Sequence, residues 1–318
     1  MIRALPPGLL PEGLSDRLPP QAEASARLLR DVLDTVASHG YGRVMPALAE
    51  FEEGLTGRLQ SARAEDLFRL VDPLSQRSLA LRPDMTAQVG RIAATRLVSS
   101  ARPLRLCYGG PVLRLKADQL HPERERVQIG AELVGSDSEV AATEIVTIAI
   151  EALQRAGVTG ITVDFTLPDL VDCLADGPMP VPATLREGLR AALDAKDAGA
   201  VADLGAVAAA YAPLIAVTGP FHAAMDRLEA LDAAAAKGAM ASRIAALRTI
   251  AGPIGWDITL TLDPTERHGF EYQSWFGFSI FADGFVGEIG RGGSYAIAHA
   301  DGRLEPAMGF SLYPDPLI

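Results

Sequence analysis

Residues 104–134 constrain the fold of this chain most. Leu104-Arg-Leu-Cys-Tyr108 and Pro111-Val-Leu-Arg-Leu115 are patterned for strand, and after a charged loop Arg126-Val-Gln-Ile-Gly-Ala-Glu-Leu-Val134 alternates apolar and polar side chains. Two such runs around a polar loop predict an antiparallel hairpin. Gln128, Gly130 and Glu132 stand two residues apart, so their side chains share one face, and Arg114 is expected mid-strand on the outgoing run. Gly130 removes bulk where a ligand would sit. Carboxylates hold an ammonium or an imidazole N–H, and a guanidinium fork holds a carboxylate, so the face suits a zwitterion. A solvated face of an antiparallel sheet produces the same pattern, and pattern alone favours that plainer account.

The rest of the chain reads as helices scattered among antiparallel strands. Leu28, Leu29, Val32, Leu33 and Val36 recur at helical spacing within 21–38, after Leu18-Pro19-Pro20 and before His39-Gly40, which predicts a helix with a glycine stop. Gly42 to Pro46 is extended. Asp66–Val71 and Ser78–Leu81 form a hairpin around Asp72-Pro73, and a helix follows over Met85–Leu97. Glu139–Ala156 is a helix capped by Asp137 or Ser138 and stopped by Gly157. Strands are expected at Ile161–Leu167, Asp257–Leu262, Glu271–Phe281, Phe285–Ile289 and Met308–Leu312. About 168–253 is Ala-rich and helix-patterned, and reads as a helical insertion within a core spanning 1–318. The class is α+β rather than a doubly wound parallel sheet.

Composition narrows the function. Lys and Arg total 29 against 40 Asp and Glu, a formal charge of −11, which argues against a protein gripping nucleic acid through a basic surface. No leader or spanning segment is expected, so no membrane association and a cytoplasmic setting follow. Cys107 and Cys173 are too few for a disulfide scaffold or a zinc cluster and read as two buried free thiols. The five histidines are dispersed, with no metal-binding spacing, and no GxSxG elbow is present. Gly287-Glu-Ile-Gly-Arg-Gly-Gly293 lacks the context of a phosphate loop, and close backbone approach at a strand end explains it better.

The order of segments resembles the catalytic core of a class II aminoacyl-tRNA synthetase, specifically histidyl-tRNA synthetase. Gly40 to Pro46 with Glu50 resembles motif 1, and Leu81-Arg-Pro-Asp-Met-Thr86 resembles the LRPE-x-T segment. Tyr108 to Arg114 with Gln128-Ile-Gly-Ala-Glu132 resembles motif 2. Gly269-Phe-Glu-Tyr272 through Phe278 resembles the histidine-specific segment, and Gly292-Gly-Ser-Tyr295 with Pro306 to Phe310 resembles motif 3. Several activating groups are replaced. Lys116 stands for a carboxylate, His268 and Pro316 for arginines, Gln273 for a tyrosine, and Ser294 and Ala296 for Arg and Asp. An adenylate-forming site needs cations on its triphosphate.

Those losses, and the LRPDMT form itself, resemble the synthetase-like regulatory subunits of ATP phosphoribosyltransferase. That resemblance implies a class II antiparallel sheet flanked by helices, no anticodon-binding domain, no catalysis, no cofactor and no metal. It implies a role in histidine biosynthesis beside a short-form catalytic subunit, as a homodimer within a hetero-octamer, with histidine as effector. It places Asp84, Thr86 and Gln128 around the amino group of a bound histidine, Glu132 and Tyr272 near its imidazole, and Arg114 within the site. The competing expectation is a minimal ligase that adenylates histidine without charging tRNA.

Overall fold

The computed structural model describes residues 8–56, 67–115, 122–267 and 273–315. Twelve strands are described: β1 (Gly42–Arg43), β2 (Ala49–Phe51), β3 (Arg69–Val71), β4 (Ser78–Leu81), β5 (Leu104–Leu113), β6 (Glu125–Val134), β7 (Thr162–Thr166), β8 (Gly219–Pro220), β9 (Thr259–Leu262), β10 (Gln273–Phe281), β11 (Gly290–Ala298) and β12 (Leu304–Leu312). Nine of them form one sheet in the order β1-β5-β6-β12-β11-β10-β7-β9-β8, and β2-β4-β3 form a small second sheet. The fold is α+β, and the sheet is antiparallel except for the β1–β5 and β7–β9 pairings. Parallel neighbours need a long crossover. Here the helix-rich segment between β7 and β9 supplies it.

Helix α1 (Gln21–Ser38) has the predicted bounds and buries Leu28, Val32, Leu33 and Val36. His39 and Gly40 donate their amides to the carbonyls of Val36 and Ala37, and Gly40 stops the helix at φ 85°, where a side chain would be strained. A five-residue helix α2 (Glu52–Thr56) and helix α3 (Thr86–Thr95) follow. Helix α4 (Glu139–Arg155) is capped by Ser138, whose side chain accepts from the Ala141 amide at 3.3 Å. Its buried Ala141, Ala142, Ile145, Val146 and Ala149 pack with α1 and with Ile129, Ala131 and Leu133 of β6 in the main core. Between β7 and β9 lie α5 (Leu170–Ala175), α6 (Ala183–Asp194), α7 (Ala198–Asp203), α8 (Ala206–Ala209), α9 (Phe221–Leu231) and α10 (Ala241–Ala251).

Three expectations need correction. Residues 104–113 are one strand rather than two, because Gly109 and Gly110 serve close approach instead of a break. A Cβ on Gly109 would meet Leu29 at 2.6 Å, and one on Gly110 would meet the Arg82 guanidinium at 2.9 Å. Arg114 consequently lies just past the end of β5, not in its middle. Phe285–Ile289 is not a strand, since Gly284 and Gly287 take φ of 82° and 80° and turn the chain; the strand is the glycine-rich 290–298. Of the two thiols expected to be buried, Cys107 is, while Cys173 is half-buried because α5 turns Leu170, Val171, Leu174 and Ala175 inward instead.

Candidate functional site

Alternation along β6 sends Ile129, Ala131 and Leu133 towards α1 and α4, and Gln128 and Glu132 to the opposite face. That opposite face is not solvated. Gln128 and Glu132 are 0% and 1% exposed, so the plain sheet-surface account of their pattern fails. What covers them is α3, with Met85, Val89, Leu106, Tyr108 and Val112 as a local apolar cluster.

Gln128 is saturated. Its carbonyl accepts from the Met85 amide at 2.8 Å, and its amide donates to Asp84 Oδ2 at 2.7 Å and to Ser311 Oγ at 2.8 Å. Asp84 also accepts the Thr86 amide at 2.7 Å, fixing the first turn of α3 to the sheet. Thr86 Oγ1 lies 3.1 Å from the Tyr108 hydroxyl, which donates to Glu132 Oε1 at 2.8 Å. Tyr295 donates to Glu132 Oε2 at 2.7 Å. Burial pushes the Glu132 carboxyl up to about 8, nearby Asp84 adds to the rise, and the two tyrosine donors offset part of it. Burial also holds the Tyr108 hydroxyl protonated, well above its ordinary range. A cation or a strong N–H donor brought beside this carboxyl would favour its ionised form.

The backbone shapes the floor beside it. Glu132 pairs with Gly309 of β12, Gly309 with Gly293 of β11, and Gly293 with Gly277 of β10. Three adjacent strands therefore present no side chain in that row, and the Gln273 side chain lies across Gly277 and Gly293. The cleft is lined by Asp84, Thr86, Glu132, Gln273, Arg291 and Tyr295, among others, and its free cavity volume is only about 20 Å³. That is room for a single water.

Asp84, Thr86, Gln128 and Glu132 are thus brought into one network. Arg114 is not part of it. Its guanidinium sits 5.7 Å from the ring centre of Tyr313, at one end of the cleft, with Arg126 stacked on the same ring at 4.5 Å. Tyr272 lies outside the described residues, as do Lys116, His268 and Pro316. Gly130 makes room for a protein group, not for a ligand: a Cβ there would collide with the Tyr108 hydroxyl and come within 2.5 Å of the Phe310 carbonyl. Ser294 faces away from the cleft and accepts from the Trp275 and Phe276 amides where β10 is irregular. Tyr108, Tyr295, Ser311 and Arg291 were not singled out as site residues by the sequence. Among the described residues, no group of three or more His, Cys, Asp or Glu is placed to hold a metal ion. No described helix is long and apolar enough to cross a membrane.

A mainly antiparallel sheet, helix-covered on one face and carrying a polar cleft under a short helix on the other, defines a class II synthetase-like core. The family model for histidyl-tRNA synthetase matches residues 13–317. A solved ATP phosphoribosyltransferase regulatory subunit/histidyl-tRNA synthetase from Bacillus halodurans superposes with a TM-score of 0.84 at 23% identity, covering 99% of this chain and 83% of that one. Histidyl-tRNA synthetase from Nostoc superposes at 0.80 with 16% identity over 98% of this chain and 74% of that one, so the fold is shared. An ATP phosphoribosyltransferase regulatory subunit of Rhodospirillum centenum is 44% identical, covering 98% of this chain and 80% of that protein. The chain belongs to the family of ATP phosphoribosyltransferase regulatory subunits, with its histidyl-tRNA synthetase-like fold.

Proposed function

We propose that this chain is the noncatalytic subunit that a short-form ATP phosphoribosyltransferase requires for activity, and that it carries histidine feedback on the first step of histidine biosynthesis. The observation that carries this reading is the 44% identity to a named regulatory subunit across 98% of the chain. The site is consistent with it. Acceptors for an ammonium and a ring N–H persist in Asp84 and Glu132, whereas Ser294 and Pro316 stand where the resemblance has activating arginines, and His268 where it has the arginine at the carboxylate end. A pocket kept for sensing needs no phosphate clamp, so synthetase chemistry is lost.

In this reading histidine binds one state of the complex better than the other. A ligand with different affinity for two states shifts their populations, and the coupling acts equally in both directions. The chain works in this reading as a cytoplasmic homodimer inside a hetero-octamer, with residues 1–318 as one core and about 168–253 as its helical insertion.

The test is reconstitution. The purified chain is mixed with a short-form catalytic subunit, and phosphoribosyl transfer is assayed with each component alone, with both, and with added L-histidine. Activity only with both, inhibited by histidine, is the expected result. Histidine-dependent ATP–pyrophosphate exchange by this chain alone would overturn it in favour of the ligase.

A further inference from the structure

Two acidic side chains line the cleft, Asp84 and Glu132. A cation lines it too, from the glycine-rich 287–293 stretch, just before the segment that resembles motif 3. Arg291 on β11 pairs with Ser311 of β12, which pairs with Gly130 of β6. Paired residues share a face, so Arg291 leaves the sheet on the same side as Glu132, two strands away and one step along. Both line the same cleft.

The guanidinium is held in place. Its Nε donates to Glu288 Oε1, and the other Glu288 oxygen accepts from Ser279 Oγ at 2.7 Å, so a neighbouring strand braces the pair. Glu288 is 12% exposed at its side chain and Arg291 27%, so the guanidinium is the more accessible member of the pair. Arg114 and Arg126 stack on Tyr313, which lines the cleft on that side. An arginine presents five donors in a planar fork that matches a carboxylate.

We propose that Arg291 is the specificity-determining anion holder of this cleft, binding the α-carboxylate of an amino acid whose ring N–H donor reaches Glu132. The assignment rests on the histidine-sensing reading and deepens it. It requires a ligand with three separated groups: a ring donor for Glu132, an ammonium for Asp84 and a carboxylate for Arg291. Analogues lacking the carboxylate lose the third contact alone.

The experiment is titration calorimetry of the full chain in complex with the catalytic subunit, using L-histidine and L-histidinol, on wild type, Arg291→Met and Arg291→Lys. Histidinol keeps the ring and the ammonium and replaces the carboxylate by a hydroxymethyl group. Wild type is expected to prefer histidine by roughly 10- to 100-fold, the range for a charge-assisted contact. In Arg291→Met that preference collapses, because histidine weakens while histidinol is unchanged, and Arg291→Lys recovers part of it. Equal weakening of both ligands in Arg291→Met would assign Arg291 a structural role and overturn the proposal. A preference that survives in Arg291→Met would place the carboxylate elsewhere and overturn it too. Failure of wild type to bind either ligand at Glu132, read by Glu132→Gln, would instead overturn the histidine-sensing reading on which it stands.

Discussion

Replacing Glu132 by glutamine keeps the shape of the side chain and removes its ionisation. In the fold its carboxyl is raised from 4.5 to about 8, chiefly by burial. Between those values the folded protein retains a proton that the unfolded chain has released. Stability therefore falls as pH rises, by about 1.36 kcal/mol per pH unit. The penalty is absent below the unfolded value and complete above the folded one. From pH 5.5 to 7.5 the wild type loses about 3 kcal/mol through this one group, and the Glu132→Gln variant loses none of it. At these pH values the folded wild type presents a protonated carboxyl to the Tyr108 and Tyr295 hydroxyls, and the variant presents an amide in its place at some fixed cost. That cost does not change with pH and drops out of the comparison. Urea denaturation of both proteins at the two pH values measures the difference. With an unfolding entropy of about 2 cal/mol/K per residue, it corresponds to a melting shift of about 4 °C for a chain this long. If wild type and variant respond to pH in parallel, Glu132 titrates normally and the reasoning about its desolvation is refuted.

Gly309→Ala places a methyl group where the Glu132 carboxyl lies and 2.7 Å from the Ala131 carbonyl, so about 1–3 kcal/mol is lost. A lower urea midpoint at unchanged slope checks it. Ser138→Ala removes the cap of α4 and costs about 1 kcal/mol, again read from the urea midpoint. Arg105 donates to both oxygens of Glu144, at 2.7 and 2.8 Å, and holds that carboxyl below its usual range. Because both side chains are a quarter or more exposed, Arg105→Ala costs about 1 kcal/mol near neutral pH. The gap between wild type and variant should close only as pH falls below about 4.5, where Glu144 takes up its proton.

Local signals in the sequence settled α1 and narrowed the cap of α4 to Asp137 or Ser138, of which the structure uses Ser138. The apolar spacing from Leu28 to Val36, the flanking Pro20 and Gly40, and Ser138 before Glu139 each act within a few residues of where they stand. Half the site was legible for the same reason, since two-residue alternation on β6 puts Gln128 and Glu132 on one face. Its other half depends on register between strands far apart in the chain. Tyr108 meets Gly130 only because β5 and β6 pair at that step, and Ser311 and Arg291 reach the cleft through β12 and β11. Gly130 was misjudged on that account: alone it looks like space, and in register it is filled by the Tyr108 hydroxyl. The glycines at 290, 292 and 293 read as close backbone approach at a strand end, and they stand at the start of β11, where Gly292 admits the Phe278 ring and Gly290 the Leu312 side chain.

Among the described residues, the nine-stranded sheet ends at both borders in strands of two residues, β1 at one and β8 at the other. A border strand that short offers an incoming chain little ladder of its own to extend, and Pro220 in β8 lacks an amide to contribute. Assembly by adding strands to this sheet is thereby discouraged, and so is the uncontrolled stacking of sheets that leads to aggregates. Whatever joins this protein through its large sheet must recognise side chains on its helices, loops and faces, where identity is encoded, and not main chain, which is the same in every protein.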